Sequence, residues 1–280
     1  MIDIKDLNYS YTGTRRKVFS DFNLNIEGNK IYGLLGKNGT GKSTLLYLIS
    51  GLLRPGKGST VSVDGHDSRR RDAEMLADMF IVAEEDTLPG ISLHAYIKNY
   101  CSFYPHFSED ILNQCLSDFD MDTNLPNLHA LSMGQRKKVT MSLALASGCC
   151  TMLMDEPTNG LDIPSKALFR KVIAKNMTDD RTLIISTHQV HDIESLLEHI
   201  IIIDRSRVLL NSSADEITGK YAFRNITIDE AKSPEVLYTE PSPMGLAAIM
   251  RRQNDEDETQ MNLELLFDYV LTKENNKQEK

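Results

Sequence analysis

Long apolar runs are missing from this sequence. Its apolar stretches, such as residues 244–250, fall far short of the roughly 18 consecutive apolar residues that mark a membrane-crossing helix, although 41% of the chain is hydrophobic, an ordinary share for a globular protein. No transmembrane helix is expected. The opening Met1-Ile2-Asp3-Ile4-Lys5-Asp6 alternates apolar and charged residues as a strand does. It has neither the basic start nor the apolar centre of a secretory signal, so the cytosol is the expected location. Cysteine is scarce too: Cys101, Cys115, Cys149 and Cys150 show no C-x-x-C pairing, which favours buried, reduced thiols over a disulfide framework. Basic charge is outnumbered, 31 Lys and Arg against 40 Asp and Glu, for a formal net charge of −9. That balance weighs against a broad nucleic-acid footprint. The run Arg69-Arg70-Arg71 reads as a solvated turn or helix start rather than a binding patch.

What is present is ordered. The 280 residues suit one large domain, or one domain with a small appendage. Ile2, Ile4, Leu7, Tyr9 and Tyr11, then Phe22, Leu24 and Ile26, show the period-two pattern of half-buried strands. A strand over 30–35, a glycine-rich loop, and a helix over 44–50 with Gly51 as its C-terminal stop follow in that order. Val61 and Val63 before Asp64-Gly65 suggest a hairpin strand, and 80–83 a strand of the central sheet. From about 88 to 147 helical signals take over, with helices expected near 92–104, 108–119 and 132–146. Strands return at 151–154, 182–185, 200–203 and 208–210, separated by helices near 164–177 and 189–198. Such alternation implies an α/β fold with a largely parallel sheet covered on both faces. Beyond about 219 the expectation is a small appended element: turn-rich at 239–243, acidic at Asp255-Glu256-Asp257-Glu258, a short amphipathic helix at 263–271 and a disordered polar tail.

Three segments carry chemistry. Gly36-Lys37-Asn38-Gly39-Thr40-Gly41-Lys42-Ser43 matches G-x-x-x-x-G-K-S. Its glycines let backbone N–H groups wrap phosphates while Lys42 reaches the outer phosphates and Ser43 coordinates magnesium. Leu131-Ser132-Met133-Gly134-Gln135 reads as a helix opening with Ser132 as N-cap, its free N–H groups and positive dipole end offering a second anion site. Thr151-Met152-Leu153-Met154-Asp155-Glu156 is an apolar strand that delivers two carboxylates at its C-terminal edge, where ligands sit in open α/β sheets. Asp155 is the expected magnesium partner, behind the inner ligands or through a bridging water. Glu156 is positioned to be the general base for an attacking water.

These segments, with Asp155-Glu156-Pro157-Thr158-Asn159-Gly160-Leu161-Asp162 and Ser186-Thr187-His188, resemble the Walker A, signature, Walker B with D-loop, and switch-histidine motifs of ABC-type ATPases. The resemblance covers about residues 1–217 and implies a P-loop NTPase with a mostly parallel central sheet, an antiparallel β subdomain and an inserted helical subdomain at about 88–147. A small C-terminal extension with a polar tail would occupy 218–280. It further implies ATP and Mg²⁺ as ligands, held by residues 36–43 and Thr44, and a dimer in which Ser132, Gly134 and Gln135 touch ATP bound by a second nucleotide-binding subunit. Tyr11 resembles the aromatic that stacks on adenine, with Tyr9 as the competing candidate on the same face. His188 would contact the γ-phosphate and the attacking water. Asp162 resembles the D-loop aspartate that communicates across the dimer, and equally reads as a helix N-cap ahead of Pro164. The chain departs from the family at Glu84, which stands where a magnesium-touching glutamine is usual, so that Glu84 is either a metal-side ligand or part of a solvated acidic loop with Glu85 and Asp86. It departs again at Met133, where glycine is common.

The implied function is the ATP-hydrolysing subunit of a membrane ABC transporter. It would be peripheral on the cytoplasmic face through a separate transmembrane permease that docks against the helical subdomain. The extension, ending in Asn262-Leu263-Glu264-Leu265-Leu266-Phe267, is similar to that of ATPases serving bacterial ABC-2-type exporters. The alternative is a soluble ABC-type ATPase acting on a ribosome, DNA or an assembly scaffold.

Overall fold

A computed structural model of the chain describes all residues except 15, 86–87, 244, 254–256 and 279–280. Strands β1 (Ile2–Tyr9) and β2 (Phe19–Ile26) pair antiparallel. Next come β3 (Ile31–Leu35), α1 (Lys42–Ile49), β4 (Thr60–Val63), the short β5 (His66–Asp67), α2 (Ala73–Ala77) and β6 (Met79–Val82). The chain then turns helical, with α3 (Leu93–Tyr100), α4 (Glu109–Asp118) and α5 (Met133–Ala146). It returns through β7 (Thr151–Asp155), α6 (Ile163–Asn176), β8 (Thr182–Thr187), β9 (His199–Asp204), β10 (Arg207–Ser213) and α7 (Ala214–Lys220). Strands β11 (Tyr221–Ile226), β12 (Val236–Ser242) and β13 (Gly245–Arg251) and helix α8 (Leu263–Gln278) complete it.

The strands make three sheets, ordered β2-β1-β4-β5, β10-β9-β3-β8-β7-β6 and β11-β13-β12. In the second, β9, β3, β8, β7 and β6 run parallel and β10 closes the edge antiparallel. Strands β3, β7 and β8 are buried along their whole length, as expected of strands covered on both faces. Alternate residues feed two cores. Tyr32, Leu34, Leu153, Ile184 and Ile201 pack with α1 and the β1 sheet, whereas Ile31, Leu35, Met152, Met154 and Ile185 pack with the helical segment and α6. Arg69 of the arginine run is structural: its guanidinium donates to the carbonyls of Gly56 and of Ser59, the latter at 2.7 Å. Cys101, Cys115 and Cys149 are buried and free, and burial pushes their thiols up to about 12, 11 and 12.

The structure departs from the sequence expectations at three places. Residues 189–198 do not form a helix but two 3₁₀ turns, 190–192 and 194–196. Outside partners take this segment's groups: Lys166 pairs with Asp192 at 2.7 Å, Glu194 accepts from the Leu263 N–H at 2.7 Å, and Glu198 accepts from the Ile31 N–H at 2.8 Å. Residues 239–243, expected as turns, lie largely in β12, with Pro241 opposite Leu246. Proline is tolerated there because β12 is an edge strand. The last helix also continues seven residues past the expected 271, to Gln278. Lys273 lies 5.5 Å over the Tyr269 ring, and Glu274 pairs with Arg207 at 2.8 Å.

The extension is therefore no free appendage. Leu263, Leu265 and Leu266 join the same core as Ile185 and Ile200. Leu266 is fully buried, so Leu266→Ala should cost about 2–5 kcal/mol. In hydrogen exchange, amides of α8 should lose protection ahead of those of β3 and β8; uniform loss across all three would show that the helix does not open on its own.

A candidate nucleotide-binding site

The loop at residues 36–43 joins β3, at the centre of the parallel sheet, to α1. Its glycines are required by geometry. Gly41, with φ of 105°, is the N-cap of α1, and a Cβ there would come within 2.8 Å of Phe19. A Cβ on Gly36 would meet the Ile203 carbonyl at 2.7 Å. No side chain caps α1, so its first N–H groups face the loop's concave side, the arrangement that binds an anion. Lys42 is buried and donates to the carbonyls of Gly36 at 2.7 Å and Lys37 at 3.5 Å. Burial pushes its ammonium below the usual lysine range, against the pull of Glu156, Asp155 and Glu84. Those three carboxylates thus converge on the lysine of the loop.

Asp155 and Glu156 stand at the end of β7, next to Ser186 and Thr187 at the end of β8. One Asp155 oxygen accepts from the Ser186 hydroxyl. The other, Oδ2, is buried without a hydrogen-bond partner among the described residues. A buried carboxylate oxygen left in that state costs free energy until something cationic or protic meets it. Among the described residues no group of three or more His, Cys, Asp or Glu side chains could hold a metal.

Glu156 is held through both its backbone and its carboxylate. Its backbone has φ of 45°, unusual for a residue with a side chain. Its N–H donates to Ser186 O at 2.9 Å, and its carbonyl accepts from the buried Lys137 Nζ at 2.6 Å. Its carboxylate accepts from the His188 N–H at 3.1 Å, from His188 Nδ1 at 2.7 Å and from Thr187 Oγ1 at 3.0 Å. A carboxylate offers about four acceptor positions, so three donors leave room for a water.

The second anion device forms as a helix end. Ser132 caps α5 in a capping box: Ser132 Oγ accepts from Gln135 N at 3.3 Å, and Gln135 Oε1 accepts from Ser132 N at 3.0 Å. The Gln135 side chain is thereby engaged within its own helix. Ser132 and Gly134 lie at the start of this helix, and Met133 is 52% exposed beside them. Met133 reaches over Gly160 so closely that a Cβ there would lie 2.0 Å from its Cε. Asp162 caps α6 by accepting from Ser165 N at 2.9 Å, and hydrogen bonding to Ser165 holds its carboxyl below the usual range.

Tyr11 lies two residues past the end of β1 rather than on it, edge-on to Tyr9, and its hydroxyl is 2.9 Å from Thr44 Oγ1. A cavity of about 630 Å³ is lined by Tyr11, by Lys37, Asn38, Gly39, Thr40, Gly41 and Thr44 of the loop, and by Leu271 and Asn275 of α8. Tyr9 does not line it. Ser43 is half-buried at the start of α1. Glu84 is exposed and accepts from Asn159 Nδ2 at 3.3 Å, tying the end of β6 to the turn after Glu156; Asp86 lies outside the described residues. His191 pairs with Glu194 and Glu264.

Sequence reasoning missed Lys137, Thr187, Leu271 and Asn275. Thr187 was within reach as the neighbour of His188. Lys137 sits in the run Arg136-Lys137-Lys138, which reads as a solvated face, and only the folded chain shows it buried with its ammonium on the Glu156 carbonyl.

Comparison with known proteins gives the same picture. The family model described as ABC transporter matches residues 19–159, half of the chain. The ABC transporter ATP-binding protein NatA of Bacillus subtilis (strain 168) is 27% identical over 227 residues, covering 78% of this chain and 91% of that protein. The lantibiotic transport ATP-binding protein SrtF of Streptococcus pyogenes is 26% identical over 216 residues, covering 77% and 92%. A solved ATP binding subunit of an ABC transporter superposes with a TM-score of 0.68 at 22% identity, covering 78% of this chain and 91% of that one, a likeness of fold.

The Met133 contact yields a test. Gly160 has φ of 79°, and forcing an L residue into the left-handed region costs about 1–2 kcal/mol. Gly160→Ala should lose about that much stability in denaturant unfolding. Because Met133 is exposed and can swing aside, adding Met133→Ala should not restore it; restoration would place the cost in the side-chain collision rather than the backbone.

Proposed function

The chain belongs to the ABC transporter family, and we propose that it is the ATP-hydrolysing subunit that powers a membrane transporter, working as a dimer with a second nucleotide-binding subunit. The observation that carries this reading is that parallel β3, β8 and β7 end side by side, Leu35 opposite Thr187 and Asp155 opposite Ser186, so that the phosphate loop with Lys42 follows β3 next to Asp155, Glu156 and His188. The loop N–H groups of residues 36–43 bind the phosphates of ATP, and Lys42 turns from the Gly36 carbonyl to the outer phosphates. Ser43, Asp155 Oδ2 and, from the β6 end, Glu84 are the residues that would hold Mg²⁺, which when bound would supply positive charge against the phosphates. Glu156 takes the proton of the attacking water, and His188, bonded to the same carboxylate, orients it and contacts the γ-phosphate.

Ser132, Gly134 and Gln135 meet the nucleotide of the neighbouring subunit. Asp162, beside that helix end, carries the state of one site to the other. An exposed helix end with no ligand in its own chain supports this reading, since such an end favours an anion. The permease would dock in an apolar groove of about 710 Å³ between the end of α1, β6 and α3, where Leu52, Phe80, Tyr96 and Phe103 lie. Leu52 and Phe103 are 54% and 70% exposed there, and exposed apolar patches of this kind mark partner surfaces. No helix among the described residues could cross a membrane, so attachment to the inner face would come through the permease. Export is the proposed direction, on the resemblance of the extension to those of ABC-2-type exporters.

Two outcomes are expected. Glu156→Gln should leave ATP binding intact, slow phosphate release by about 10²–10⁴-fold, and shift the protein to a dimer in ATP on size-exclusion chromatography; unchanged turnover would remove Glu156 from the role of base. Affinity purification from detergent-solubilised membranes should recover a polytopic membrane protein, lost on Phe103→Asp. Recovery with ribosomes or nucleic acid instead would sink the transporter reading.

A further inference from the structure

The last helix reaches the nucleotide cavity. Glu264, Asp268, Leu271 and Asn275 of α8 fall at i, i+4, i+7 and i+11, a spacing that places them on one helical face. That face runs along the site. Glu264 lies 2.7 Å from His191 Nε2, three residues beyond His188. Burial and the carboxylates of Glu240 and Glu264 push the Asp268 carboxyl up, with Lys37 of the phosphate loop acting against them. Leu271, 6% exposed, and Asn275 then line the cavity together with Tyr11. The helix is fixed rather than loosely laid there: Leu265 and Leu266 are buried in the main core, and Glu274 is paired with Arg207 on β10.

The cavity wall divides by chemistry. Residues 37–41 and Thr44 present loop backbone and the α1 end, which suit phosphates. Tyr11, Val18, Leu271 and Asn275 present an aromatic ring, two apolar side chains and a carboxamide, and Arg16, Lys17, Asp204, Arg205 and Ser206 add charged and hydroxyl groups at its margin. Such a mixed wall suits a nucleoside, with apolar contact for the ring and a few polar groups to orient it. A carboxamide both donates and accepts, the pattern that pairs with the amino group and ring nitrogen of adenine.

We propose that α8 supplies the nucleoside-facing wall of the nucleotide site within the same chain, Leu271 packing against the nucleoside and Asn275 hydrogen-bonding the edge of its base. This rests on the reading of residues 36–43 as the phosphate site. The C-terminal extension is then part of the binding site rather than an accessory to it, and nucleotide binding is coupled to the docking of α8.

Binding of ATP and of inorganic tripolyphosphate to the full chain separates the two readings, because tripolyphosphate has no nucleoside. Asn275→Ala, at an exposed position, should weaken ATP about three- to ten-fold, the worth of one hydrogen bond. Leu271→Ala should weaken ATP as well, and neither variant should change tripolyphosphate affinity. Unaltered ATP affinity in Asn275→Ala, or a parallel loss of tripolyphosphate, overturns the proposal. Lys42→Ala should weaken both probes. If it weakens neither, the phosphate-site reading fails, and that failure is distinct from a failure at α8.

Discussion

Everything at the catalytic edge depends on how Glu156 is held. A residue with φ of 45° stores strain of order 1–3 kcal/mol, and it persists only because its surroundings over-determine it. Here they do so from two directions. Ser186 and Lys137 bond its backbone, and Thr187 and His188 bond its carboxylate. The first pair sets where the chain turns out of β7; the second sets which way the side chain points. Since Ser186, Thr187 and His188 are consecutive at the end of β8, the register between β7 and β8 decides how the Glu156 carboxylate is held. A slip of one residue would turn the carboxylate to the other face of the sheet.

Lys137 adds a second consequence. It lies on α5, five residues past the N-cap Ser132, so one helix carries both the exposed capped end and the cation that holds the carbonyl of Glu156. Met133 touches Gly160 in the turn that leads from Glu156 to Asp162. A displacement of the α5 end therefore reaches the base by two short routes.

The phosphate half of the site was legible because its chemistry is local. Residues 36–43 need only a strand before them and a helix after them, and the hydrophobic periodicity of both flanks is strong. Asp155, Glu156 and His188 were legible for the same reason, as polar residues that end apolar strands. Of the cavity's far wall only Tyr11 was legible; Leu271 and Asn275 come from the opposite end of the chain and meet it only through tertiary packing. The tail after 271 is polar enough to read as disorder, yet it is helical because Glu274 and Lys273 find partners on β10 and on Tyr269. The segment 189–198 failed in the opposite sense. Its apolar spacing suits a helix, but α6, β3 and α8 claim its polar groups, and two 3₁₀ turns satisfy more of them than one helix would.

That same segment explains why the extension and the catalytic edge form one unit. His188 is bonded to Glu156, and the turns after it are bonded by Glu194 to the Leu263 N–H and by His191 to Glu264, at the start of α8. The far part of α8 lines the cavity beside Tyr11. One end of this bonded path is His188 and the other is the cavity wall at Leu271 and Asn275. Because buried parts such as Leu263 and Leu266 move as packed units rather than deforming continuously, a shift of α8 must be accommodated at the turns next to His188. The docking of the extension is thereby tied, through these bonds, to the position of the Glu156 carboxylate.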